Sequence, residues 1–110
     1  MKILRYYTTR NGKQPFIEWL NDLRDMTATA QINVRVRRLT LGQTGIVEPV
    51  GKGVFEMKIN HGPGYRVYFA ELGKEVVVLL LGGDKSSQKR DVEKAKLYWA
   101  DYLEIYNEKS

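Results

Sequence analysis

Val54-Phe55-Glu56-Met57-Lys58-Ile59, then Gly62-Pro63-Gly64, Tyr65-Arg66-Val67-Tyr68-Phe69 and Val76-Val77-Val78-Leu79-Leu80-Leu81-Gly82-Gly83 follow one another in the second half of the chain. In the first block Phe55, Met57 and Ile59 alternate with Glu56 and Lys58, the two-residue period of a strand with one face on a core. Tyr65, Val67 and Phe69 alternate with Arg66 and Tyr68 in the same way. Gly62-Pro63-Gly64 and Leu72-Gly73-Lys74 are short enough for hairpin turns, so these blocks predict a three-stranded meander. The run Val76–Leu81 contains no polar residue and predicts a central strand covered on both faces.

Outward from that meander, Lys2–Thr8 predicts a first strand, ended by the polar turn Thr9-Arg10-Asn11-Gly12. Pro15 fits the first turn of a helix, where its missing N–H is not needed. Phe16, Ile17, Leu20 and Leu23 follow at helical spacing. A second helix, capped by Thr27 or Thr29, presents Ala28, Ile32, Val36 and Leu39 on one face, with Arg35, Arg37 and Arg38 elsewhere, and Gly42 ends it. Gln43–Lys52, with Gly42, Gly45, Gly51 and Pro49, reads as a loop. From about Ser87 to Asn107 a closing helix carries the stripe Val92, Ala95, Trp99, Tyr102, Leu103 and Tyr106. The expected order is β-α-α-β-β-β-α. This is one α+β domain over residues 1–110, with a mainly antiparallel four-stranded sheet, an N-terminal helical hairpin and a C-terminal helix.

Eighteen Lys and Arg against thirteen Asp and Glu give a formal charge of +5, a balance that favours acidic partners such as nucleic acid. There is no cysteine and a single histidine, His61, which excludes a disulfide framework and a zinc site built on thiolates or imidazoles. No cofactor is expected. No apolar run approaches the ~20 residues needed to span a bilayer, and Met1–Tyr7 lacks the apolar stretch of a signal peptide. A cytoplasmic protein without membrane contact is expected.

Alternation places Lys58 and Arg66 on one surface near the Gly-Pro-Gly corner. Lys85 arrives at the start of the last helix, whose free N–H groups favour anions. Cleavage of RNA by its own 2′-hydroxyl needs activation of that hydroxyl, stabilisation of a dianionic phosphorane and protonation of the leaving oxygen. Arg66 suits the second task because its planar fork holds two phosphate oxygens, and Lys58 or Lys85 suits sharing it or moving protons. Tyr68, Lys89 and Arg90 are further candidates for RNA contact. His61 is a candidate acid or base, because an unperturbed imidazole changes charge at about pH 6.5. Asp91 is read as a first-turn acid on the helix dipole. A plainer arrangement is open as well: Arg66 as a sheet-surface residue paired with Glu56, and Lys58 as solvated surface.

Three blocks together resemble the RelE/ParE superfamily of type II toxin–antitoxin toxins, in its HigB-like, phage-associated addiction module killer branch. They are Pro15-Phe16-Ile17-Glu18-Trp19-Leu20, Gly62-Pro63-Gly64-Tyr65-Arg66-Val67-Tyr68-Phe69 and Leu80-Leu81-Gly82-Gly83-Asp84-Lys85-Ser86-Ser87-Gln88. The resemblance implies a RelE-like fold with an open basic face and ribosome-dependent cleavage of mRNA. It also implies a helix-turn-helix antitoxin, in an assembly that includes the toxin–antitoxin heterotetramer. By position, Arg66 matches the family's phosphate-binding arginine, Lys58 a basic strand residue and Lys85 a basic residue after the last strand. The chain departs from that pattern in three places. Asp91 stands where RelE-like enzymes carry a catalytic tyrosine, Glu56 occupies the second basic position of the hairpin, and nothing matches the catalytic histidine that other HigB toxins place near the C-terminus. Gln88, Asp91 and His61 are the candidates for a different acid–base solution. A ParE-like, non-enzymatic inhibitor of DNA gyrase and an inactive homologue acting as antitoxin partner and co-repressor are the alternative functions.

Overall fold

The structure, a computed structural model, describes residues 1–109. Its elements are β1 (Ile3–Tyr6), α1 (Pro15–Asp22), α2 (Met26–Thr40), β2 (Val47–Gly51), β3 (Val54–Ile59), β4 (Tyr65–Leu72), β5 (Val76–Gly83), a single 3-10 turn (Lys85–Ser87) and α3 (Gln88–Lys109). The sheet has five strands in the order β1-β5-β4-β3-β2, one more than the sequence reading gave. The added strand is β2, inside the segment expected to be a loop. It pairs antiparallel with β3 from Val47 opposite Met57 to Gly51 opposite Val54, with an irregularity between Pro49 and Gly51. Proline and glycine are tolerated there because β2 is an edge, where a missing N–H costs no ladder bond.

The sheet is mixed. β3, β4 and β5 form the expected antiparallel meander, but β1 runs parallel to β5, from Ile3 opposite Val76 to Tyr6 opposite Leu79. A parallel neighbour requires a long crossover rather than a tight turn. Here that connection contains the helical hairpin and then β2, β3 and β4.

Each face of the sheet carries its own core. On one, Met57, Ile59, Val67, Phe69, Val77 and Leu79 meet Phe16 of α1 and Ala28, Ile32, Val36 and Leu39 of α2. On the other, Val54, Tyr68, Ala70, Val78 and Leu80 meet Ala95 and Trp99 of α3. This second core explains why β5 is apolar throughout. α3 therefore covers much of that face, as the apolar stripe of the closing helix predicted.

The cap of α2 also differs from expectation. Neither Thr27 nor Thr29 caps it; Asp25 does, its Oδ1 accepting from the Ala28 N–H at 3.1 Å. Asp at this position satisfies a first-turn N–H that would otherwise lack a partner.

Candidate functional site

Lys58, Arg66 and Gly83 form a row across three strands, Lys58 directly opposite Arg66 and Arg66 opposite Gly83. The row lies on the α3 side of the sheet, at its Gly-Pro-Gly end. Like charges facing each other across a ladder are destabilising unless something negative lies near them. Glu56 supplies part of that, its Oε1 lying 3.7 Å from Arg66 Nε.

Arg66 is not the open surface residue that was expected. Only 8 % of it is exposed, against 2 % of Glu56. Its Nη1 donates to the Gly64 carbonyl at 2.8 Å, while its buried Nε makes no hydrogen bond. Gly64 brings the parts together. Its positive φ of 77° turns the chain back and disfavours any side chain there, and a Cβ at this position would lie in ordinary contact with both Arg66 Nη1 and the Lys85 stem. Lys85 itself is exposed, as are Lys89 and Arg90 on the first turn of α3, and Lys58 is half-buried. Arg35, which no sequence signal singled out, reaches from α2 to hold the backbone of the row: its Nη1 donates to the Lys58 carbonyl at 2.9 Å.

Beneath the row lies a polar layer. Glu56 stands opposite Tyr68 on the neighbouring strand, and its Oε2 accepts from Gln88 Nε2 at 3.0 Å. Tyr68 is fully buried, which removes it from the residues able to stack on RNA; alternation gave its face correctly but not that α3 closes over it. Its hydroxyl has no hydrogen-bond partner, and burial, with Glu56 next, raises its pKa above the usual phenol range. Asp91 is 6 % exposed and accepts from the Ser87 hydroxyl. The first-turn position stands, but as an inward-facing acid Asp91 is poorly placed to exchange protons with a substrate at the surface.

The pair Gly82-Gly83 follows from the two layers. A Cβ on Gly82 would stand 2.0 Å from the Trp19 ring, and one on Gly83 would stand 1.9 Å from Asp91 Oδ2. Successive strand residues point to opposite faces, so one glycine admits α1 and the next admits α3. Asp84 then turns the chain, its Oδ1 accepting from the Ser86 N–H at 2.8 Å. Hydrogen bonds from Ser86, first its hydroxyl, hold that carboxyl below the usual aspartate range.

His61 sits apart from the row. Its Nε2 lies 2.9 Å from Asp25 Oδ2, and its ring stacks on Tyr65, whose side chain belongs to the core on the opposite face. The Ala28 N–H first, and then His61, lower the Asp25 pKa. This pairing escaped the sequence reading because its members are 36 residues apart. The signal for half of it was present, in an acid directly before the periodic run that begins α2.

No group of three or more His, Cys, Asp or Glu able to hold a metal occurs among the described residues. Among them, no helix is long and apolar enough to cross a membrane.

Residues 18–101 match the family described as Phage derived protein Gp49-like (DUF891). An uncharacterised protein of Haemophilus influenzae is 45% identical over 82 residues, which cover 74% of this chain and 83% of that protein. The family match spans α1 to the middle of α3 and so contains Lys58, Arg66, Lys85 and the glycine pair. With more than half of its length matched, the chain belongs to the Gp49-like phage-derived family, which is associated with toxin–antitoxin toxins and lies within the RelE/HigB-like superfamily.

Proposed function

We infer that the protein is the toxin of a type II toxin–antitoxin module and acts as a ribosome-dependent endoribonuclease on translated mRNA, neutralised by a helix-turn-helix antitoxin. The observation that carries this reading is the opposed pair Lys58 and Arg66 with Lys85 beside it at Gly64. Two like charges set face to face leave a site that a phosphate improves. Arg66, fixed through Nη1 by the Gly64 carbonyl, would receive the charge that develops on the scissile phosphate. Lys85 and Lys58 would hold the non-bridging oxygens and the neighbouring phosphates, with Lys89 and Arg90 extending the track. Positioning of the 2′-hydroxyl and the leaving oxygen would come largely from the ribosomal site, since Asp91 faces inward and His61 is paired with Asp25 on the other side of the corner.

That same placement of Asp91 and His61 favours a second reading, an inactive homologue retained as antitoxin partner and co-repressor. Induced expression without antitoxin, followed by primer extension on mRNA, separates the two. Cuts inside translated codons are expected for the nuclease. Growth arrest with intact mRNA and damaged DNA would point instead to a gyrase inhibitor, and the absence of any arrest to the inactive homologue.

A further inference from the structure

Glu56 is a carboxylate in a place that an apolar residue would fill at less cost. It lies between Val54 and Lys58 on a strand face whose neighbours are Tyr68, Ala70, Leu80 and Trp99. Desolvating an acid there is costly unless it has partners. Its partners are specific: one oxygen accepts from Gln88 at the start of α3, and the other faces Arg66 Nε at 3.7 Å, outside hydrogen-bond range. Arg66 Nε has no other acceptor. The guanidinium is thus bonded firmly through Nη1 and held only loosely by the acid.

We propose that Glu56 is a positioning residue that acts as an internal counter-ion for Arg66 and sets how tightly the Lys58–Arg66–Lys85 cluster holds a ribose-phosphate backbone. A phosphate reaching Arg66 competes with a charge already in place, so it gains less than it would from an unpaired arginine and leaves more readily. The link through Gln88 fixes the carboxylate at the entrance of α3, so Arg66 keeps one orientation whether or not a phosphate is bound. The inference rests on the reading that this cluster binds RNA.

The test uses the full-length protein and a fluorescein-labelled single-stranded oligoribonucleotide of about 12 nucleotides. Glu56→Gln keeps the side-chain volume and an acceptor for Gln88 but removes the charge. It is expected to bind the oligonucleotide about fivefold more tightly and with a steeper salt dependence, because one more cation is free to displace counter-ions. The gain is expected to vanish in an Arg66→Gln background and to persist in a Lys85→Ala background. A merely structural Glu56 would lower the melting temperature without tightening binding, so unchanged or weaker binding by a folded Glu56→Gln protein overturns the proposal. Glu56→Asp retains the charge and should not tighten; tightening equal to that of Glu56→Gln overturns it as well. Should the wild-type protein bind no oligonucleotide, the RNA reading fails, and inorganic phosphate decides the inference by itself. Phosphate must then raise the melting temperature of Glu56→Gln by more than that of wild type, and an equal rise rejects the counter-ion role.

Discussion

An arginine that faces a buried acid has two duties, and its removal tests both at once. Arg66→Ala would strand the Glu56 carboxylate in the second core, and breaking such a pair costs about 3–5 kcal/mol. The low end, about 3 kcal/mol, is expected here because the contact is 3.7 Å rather than a close hydrogen bond. Urea denaturation of Arg66→Ala beside Arg66→Ala/Glu56→Ala measures it. The double variant should recover part of the loss, and a double variant no more stable than the single one would show that Glu56 is not the reason. Loss of toxicity in Arg66→Ala alone therefore says little about phosphate binding, whereas Lys85→Ala, at an exposed position, leaves the core untouched. Gly83→Ala makes a separate case. Its Cβ would overlap Asp91 Oδ2, so either the first turn of α3 shifts or the side chain of Asp91 leaves the Ser87 hydroxyl. Overpacking of this kind costs about 1–3 kcal/mol, and a melting temperature equal to wild type would contradict the close approach. Sequence alternation alone placed Lys58 and Arg66 side by side. It did not show that Arg66 is buried, because burial depends on where α3 lies, which no local pattern encodes.

Among the elements, α2 and the β3–β4 corner are joined by the hydrogen-bonded pair of Asp25 and His61. The Asp25 pKa is lowered, so its contribution to stability is present above the ordinary aspartate value of 3.8 and is lost as pH falls through and below that value. Asp25→Ala should lower the melting temperature at neutral pH, and the gap from wild type should close as pH drops below about 3.8. His61→Ala should have a smaller effect, since the Ala28 N–H is the larger cause of the shift. A gap for Asp25→Ala that stays constant down to about pH 2.5 would show that the charge does not matter. Much of this level was legible in advance. Pro15 marked the start of α1, the spacing of Ala28, Ile32 and Leu39 gave the buried face of α2, and Val92, Ala95 and Trp99 gave that of α3. Two features were not. β2 was hidden by Pro49 and the nearby glycines, which discourage a strand everywhere except at an edge. The parallel pairing of β1 with β5 was hidden because β-propensity is silent about which strand becomes the neighbour.

For the molecule as a whole, the +5 charge matters through its distribution. Arg10 is absorbed by Asp101, with Glu104 and Glu108 close by, Lys2 by Glu71, and Lys96 by Glu93. Lys58, Lys85, Lys89 and Arg90 form no ion pair among the described residues. Arg5, Arg24, Arg37, Arg38 and Lys74 form no ion pair among the described residues either, but only Lys58, Lys85, Lys89 and Arg90 stand by the Arg66 row or on the segment that leads into α3, and an electrostatic partner should dock there. Binding to single-stranded RNA releases counter-ions in proportion to the phosphates neutralised, with a slope of roughly −0.7 per contact in log affinity against log salt. Three to five contacts from this cluster predict a wild-type slope of about −2 to −3.5. Lys85→Ala should make it shallower by about 0.7 and weaken binding to every RNA sequence alike, because phosphate contacts carry no sequence information. Lys2→Ala, at the far end of β1 and already paired, should leave the slope unchanged. Fluorescence anisotropy between about 50 and 300 mM salt reads all three. A shallow slope in wild type, or equal losses from Lys2→Ala and Lys85→Ala, would mean that the positive charge is spread over the surface and that the row at Arg66 is no binding site.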